Sequence, residues 1–374
     1  MRRKLRLIPW LAAIPVWTAS AQHDTPTLQA RAFADLNYTL TQRPVAEGFR
    51  LGQIAGHLIG ILSDRLTLFT EVSATPNAAG FSIEAERLFL RYDHCDLLRL
   101  SAGRYHTPIS YWNTAFHHGQ WLQTSTGRPD MVRGGSGLMP LHFVGVLAEG
   151  TIARAPLGLR YSVGAGNGRA ANIARAGDAG DANGSRAVVA SAVLSIPSEV
   201  GLSMGGSVYA DRASPSATLS VDERIVSFHV ARERETPEVI VEYAHIKHSP
   251  RNIASPVTYS NAAYAQLGYR LPGRAHAFKP YVRAERTRVP AQDTLFAPLR
   301  LNQEGLLGGL RVDLAPTAAL KIEYRSEKFD TPLRYKTLAL QLSFTFPSFS
   351  QASKAPPDPS PSSPNDVSHT AHRH

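Results

Sequence analysis

From about Leu28 to Phe346 the chain alternates apolar and polar residues in short stretches. In LQARAFADLNYTL, Ala30, Ala32, Ala34, Leu36, Tyr38 and Leu40 share one face. Gln29, Arg31, Asp35 and Asn37 share the other, broken only by Phe33. In the last stretch, YKTLALQLSFTF, Leu338, Leu340, Leu342, Phe344 and Phe346 alternate with Thr337, Ala339, Gln341, Ser343 and Thr345. A period of two puts successive side chains on opposite faces of a strand. The breaks carry turn residues, among them Ser63-Asp64-Arg65, Glu235-Thr236-Pro237, Pro272-Gly273-Arg274 and Pro316-Thr317. Proline and glycine there meet the dihedral demands of sharp reversals.

Tight turns alternate with longer polar connections, and the stretches number about 16 at a spacing of roughly 20 residues. That suits strands of about 9–11 residues crossing a bilayer at a tilt. The fold class expected is all-β: a closed antiparallel transmembrane β-barrel, lipid outside and water in the lumen. A soluble sandwich or propeller would need turn signals every 8–12 residues or so, with short strands throughout. An even strand count puts both ends of the barrel on the periplasmic side.

The chain ends refine this picture. Arg2, Arg3, Lys4 and Arg6 precede an apolar run, Leu7 to Thr18, and then Ala19-Ser20-Ala21. This is the pattern of a secretory signal peptide, and a run of about 12 residues is well short of the roughly 20 that span a bilayer. Residues 1–21 therefore read as a cleaved signal peptide and 22–346 as the barrel. Residues 347–374, with PPDPSPSSP and a terminal HTAHRH, read as a disordered Pro/Ser/His-rich tail. His369, His372 and His374 are expected to be solvated there without a metal role. The location expected is the bacterial outer membrane, with lipid and lipopolysaccharide as partners.

Composition changes the picture in three places. A hydrophobic content of 43% and a mean hydropathy of −0.18 are too polar for a helical membrane protein. The formal charge of +10 falls to about +6 once the four leader cations leave. No basic block interleaved with aromatics is present, so nucleic acid is not an expected partner. Cys95 is the sole cysteine, which excludes an intrachain disulfide and a cysteine zinc site.

If the leucine-rich faces meet lipid, the opposite faces line water. A charge facing lipid at mid-membrane costs roughly 2–4 kcal/mol. The expected pore-lining cations are Arg87, Arg91, Arg99, Arg160, Arg270, Lys279, Arg283, Arg311, Lys321 and Arg325, with Glu285, Asp313, Glu323 and Glu327 among them. A cationic wall lowers the barrier for anions; the same charges paired across strands would only hold the wall together.

The longest interruption runs from His106 to about Pro140. An external loop gains little from large aromatics, whereas burying each contributes roughly 1.5–3 kcal/mol. Part of it is expected to fold inward as a constriction, anchored by Trp112, Phe116 or Trp121 and carrying His117 and His118. Neither those histidines nor His106 and His142 have a metal-ligand spacing, so no metal or cofactor is assigned. HExxH is absent from the sequence, no serine sits at a strand-to-helix turn of the nucleophile-elbow kind, and Ser110 and Ser125 adjoin histidines only by sequence proximity, so a non-enzymatic protein is expected. The DAGDANG stretch around Asp178 and Asp181 lacks the spacing and distal Glu of a calcium loop.

The stretch LRLSAGRYHTPI, with Gly103, Arg104, Tyr105, Pro108 and Ile109, resembles the strand-into-loop signature of the phosphate-selective porin O and P superfamily. The specific match covers about 30 residues. The aromatic-ended last strand resembles the insertion signal read by the barrel assembly machinery. The resemblance implies a porin: a water-filled channel for passive diffusion of small hydrophilic solutes, with a homotrimer as a compatible assembly; the excess of inward cations leans it to anions. That family's binding arginines have no residue-by-residue match here. The alternative is a non-conducting barrel, its lumen plugged by Gly103–Pro140, serving surface binding or envelope structure.

Overall fold

The computed structural model describes residues 27–117, 122–154, 157–181, 183–196 and 200–352. The expected signal peptide lies outside the described residues, as do residues 353–374 of the expected tail. The strands are β1 (Thr27–Thr41), β2 (Gly48–Leu51 continued by Ile54–Ser63), β3 (Leu66–Asn77), β4 (Gly80–Cys95), β5 (Leu98–His106), β6 (His142–Arg154), β7 (Leu157–Asn167) and β8 (Ala187–Ile196). Then come β9 (Leu202–Ser216), β10 (Leu219–Arg232), β11 (Glu238–Pro250), β12 (Thr258–Gly268), β13 (Phe278–Arg288), β14 (Gln303–Ala315), β15 (Ala318–Lys328) and β16 (Arg334–Ala352). Both segments of β2 pair with β1, so the 17 paired segments form a 16-stranded barrel. Each strand pairs antiparallel with the next, and β16 closes on β1. Closure leaves no sheet edge with unsatisfied backbone groups, which is what a spanning β-structure requires.

The strand ends follow local chemistry. β4 and β5 reverse through Asp96-Leu97, and β14 and β15 through Pro316-Thr317, as turn-forming residues dictate. Long connections do not always alternate with these. β3–β4 and β9–β10 close through Ala78-Ala79 and Ala217-Thr218. The strand β16 also runs six residues past the expected end at Phe346, because Thr27–Ala30 of β1 offers pairing to Phe349–Ala352. Pro347, which cannot donate to a ladder, falls in the register shift between Ala30/Phe349 and Ala32/Phe346, where a bulge tolerates it.

The two faces are sorted as the alternation predicts. Leu306 is 54% exposed, Phe228 59% and Leu338 38%, all on the outer face. On the inner face Lys321 and Glu323 are fully buried. This is a soluble protein turned inside out, and only an apolar surround outside and polar contents inside make it favourable. The contents include an apolar cluster within the barrel. Trp112, Met131, Leu138 and Met139 pack on Tyr209, Ile225, Ile240 and Phe296. Two groups of residues therefore bury hydrocarbon inside the barrel, and the first group lies on the long β5–β6 connection.

Candidate functional site

Residues 107–117 leave β5 and enter the lumen, and residues 122–141 return from it to β6. The entry is fixed first by the loop's own backbone. The Thr107 N–H donates to the Leu141 carbonyl at 2.9 Å. The Asn113 amide donates to the carbonyls of Thr107 and Leu141, both at 3.0 Å. Ser110 then caps a single helical turn, α1 (Tyr111–Ala115), accepting from the Asn113 N–H. A helix start leaves N–H groups that need acceptors, and Glu242 on β11 supplies them. Its carboxylate accepts from Tyr111 N and Trp112 N at 2.9 Å each, from Ser110 Oγ at 2.8 Å and from the Tyr264 hydroxyl. Trp112 beside it is 1% exposed and meets Tyr264 edge to face.

The second limb of the loop crosses to β13–β16 and is held by charges. Lys321 Nζ donates to the Ser125 carbonyl at 3.0 Å and Arg311 to the Gln123 carbonyl at 2.9 Å. Arg283 donates to Ser125 Oγ at 2.9 Å and to the Gly127 carbonyl at 3.0 Å. The Thr126 hydroxyl donates to Glu323 at 2.6 Å, and Arg325 donates to that hydroxyl at 2.7 Å. The Asp130 N–H donates to Glu285 at 3.0 Å; burial beside Glu285 pushes the Asp130 carboxyl upward. At the end bearing the short turns, Lys279 joins Glu238 at 2.6 Å and Glu235 at 2.9 Å, while Arg270 joins Glu235 and Asp313. Hydrogen bonds from Arg270, and then Lys279, hold Glu235 down at about 2. Between this charged ring and the loop lies a cavity of about 620 Å³, bordered by Tyr111, Phe116, Thr124 and Glu238.

Of the ten cations named as pore-lining, Arg283, Arg311, Lys321 and Arg325 hold the loop, while Arg270 and Lys279 pair with Glu235, Glu238 and Asp313. The other four lie on β4, β5 and β7. Arg87 pairs with the buried Glu71 and lies over the Phe69 ring at 4.3 Å. Arg91 and Arg99 share Asp93 at 2.9 and 3.7 Å, with side chains 33% and 38% exposed. Arg160 is exposed, in step with the inward Ser162. Most of the loop's side-chain hydrogen bonds to the wall therefore run to β9–β16, while its root meets β5 and β6.

Of the expected constriction residues, Trp112 anchors the loop, Phe116 packs on it at 5.0 Å between ring centroids, and His117 is buried. His118 and Trp121 lie outside the described residues. The fold also does what sequence spacing does not suggest: it gathers His106, His117 and His142, with ligand nitrogens within 4.8 Å of one another. Ser110 and Ser125 donate their hydroxyl protons to Glu242 and to the Gly127 carbonyl, not to a histidine. Asp178 pairs with Arg104 at 2.7 Å and Asp181 with Arg186 at 2.6 Å. The acidic receivers of the loop, Glu238, Glu242, Glu285 and Glu323, were not singled out from sequence as loop holders. The signal was present as a glutamate at an inward position of each strand, but nothing local says that a loop meets it.

No family model and no curated protein matches the sequence. Solved structures do match in fold. An anion-selective porin from Comamonas acidovorans aligns over 86% of this chain and 100% of its own, with 10% identity and a TM-score of 0.62. The trimer form of OmpT, an outer membrane protein of Vibrio cholerae, aligns over 86% and 100%, with 12% identity and a TM-score of 0.57. The outer membrane channel DcaP of Acinetobacter baumannii aligns over 86% and 97%, with 12% identity and a TM-score of 0.56. The chain has the fold of a porin-type barrel.

Proposed function

We propose that this protein is an outer-membrane porin, a diffusion channel for small hydrophilic solutes that leans toward anions. The observation that carries the reading is the one-sided seat of the loop. Most of its side-chain hydrogen bonds to the wall run to β9–β16, and Arg91, Arg99 and Arg160 on the facing wall keep accessible side chains. A plug would be expected to cover both halves alike. Fixed guanidinium groups along a narrowed passage raise the local anion concentration. The similar structures are described as a porin, an outer membrane protein and a channel, which supports the same location and class. Export behind a cleaved leader, assembly by the barrel machinery, contact with lipopolysaccharide and a homotrimer belong to this reading, and so does kinship with the phosphate-selective superfamily.

Purified protein in a planar bilayer tests it. Stepwise conductance is expected, with a reversal potential on the anion side in a potassium chloride gradient. Absence of conductance from folded protein would replace the porin with the plugged barrel.

A further inference from the structure

Three histidines far apart in sequence meet where the inward loop joins the wall. His106 ends β5, His142 begins β6, and the two are direct cross-strand partners. His117 follows α1 and stacks on His106, with ring centroids 3.8 Å and planes 25° apart. The His142 ring lies 5.5 Å from that of His106 and 4.8 Å from that of His117. His106 and His117 are buried, and the His142 side chain is 12% exposed.

The surroundings orient these rings. Asn113 Oδ1 accepts from His117 Nδ1, which leaves Nε2 as that ring's ligand atom. Glu86 Oε2 lies 2.9 Å from His142 Nε2, and Glu71 Oε2 lies 3.6 Å from His106 Nε2. Three imidazoles with carboxylates at their edge are the donor set of a borderline transition cation. Magnesium and calcium prefer all-oxygen sites. Zinc–nitrogen bonds of about 2.0–2.1 Å place tetrahedral ligands about 3.3 Å apart. The nitrogens here lie within 4.8 Å of one another, so closures of up to about 1.5 Å complete the set.

We propose that His106, His117 and His142 form a binding site for a divalent transition cation such as zinc, with Glu86 placed as an oxygen ligand. The site joins the loop to the barrel wall, so an ion there ties the root of α1 to β5 and β6. This inference does not rest on conduction.

The test uses full-length, chelator-stripped protein in detergent. His369→Ala, His372→Ala and His374→Ala are combined as the background, so that the chain's end does not contribute. Equilibrium dialysis against zinc chloride is expected to give one tight equivalent per chain that excess magnesium does not displace. His117→Ala, and separately His142→Gln, should each weaken binding at least tenfold. Cobalt in place of zinc should give the visible bands of a tetrahedral site with nitrogen and oxygen ligands, lost in the same variants. Heat-modifiable migration on gels reports folding, and whichever of the two variants folds carries the comparison. No binding by the folded background at micromolar zinc overturns the site. Unchanged zinc affinity in a folded His117→Ala or His142→Gln variant overturns it equally.

Discussion

Glu242 is the residue on which the loop's first limb depends, and two substitutions there grade its effect. Its carboxylate takes four donors: Tyr111 N, Trp112 N, Ser110 Oγ and the Tyr264 hydroxyl. Hydrogen bonds to a charged group contribute about 1.5–3 kcal/mol each. They are not additive, and water reaches part of the site once the loop moves, so Glu242→Ala should weaken docking by on the order of 5 kcal/mol. That changes the ratio of docked to undocked loop by about three powers of ten or more. Glu242→Gln keeps one oxygen but turns the second acceptor into a donor aimed at donors, so roughly half the effect is expected. The barrel's backbone ladders do not involve this side chain, so the fold should persist and migrate normally on unheated gels. Single-channel recording should show higher mean conductance and greater open-channel noise in the order Ala, Gln, wild type. Wild-type conductance and noise in a folded Glu242→Ala protein would refute both the seat of the loop and its role in narrowing the lumen.

Three further outcomes follow from the same geometry. Arg91→Gln combined with Arg99→Gln removes accessible charge beside Asp93 and should move the reversal potential toward cations; an unmoved potential in folded protein would remove these residues from selectivity. Glu235, held at about 2 against an ordinary 4.5, contributes stability that is present above pH 4.5 and lost as pH falls toward 2. Because its side chain is 43% exposed, the effect is about 1 kcal/mol after screening. Arg270→Gln should flatten that acid dependence in melts followed by heat-modifiable migration, and an identical pH profile would sink the assignment. Leu340→Arg places a charge on the outer face of β16 and should cost roughly 2–4 kcal/mol in folding equilibria in lipid, against a negligible change if that face were wet.

The barrel was legible because its constraint is repeated at every strand. A slip of one residue would send Leu338, Leu340 and Leu342 inward and Gln341 and Ser343 into lipid, so alternation records sidedness directly. The end of β16 was misread because Pro347 looks like a stop in sequence, and only the free pairing of Thr27–Ala30 shows why a bulge carries the strand past it. The loop was legible in composition, since Trp112 and Phe116 demand burial, but its seat was not. Glu242 has the same inward alternation as any lumen charge, and it meets Ser110 across 132 residues of chain. That distance is closed by ring closure and strand register, which no local window contains. The histidines make the same point more sharply. Their spacing along the chain argues against a shared ligand set, yet the antiparallel register of β5 and β6 makes His106 and His142 neighbours, and the helical turn capped by Ser110 delivers His117 to both. A spacing rule assumes that ligands come from one element; in a barrel with an inward loop, the ligands come from the seam where the loop departs and returns.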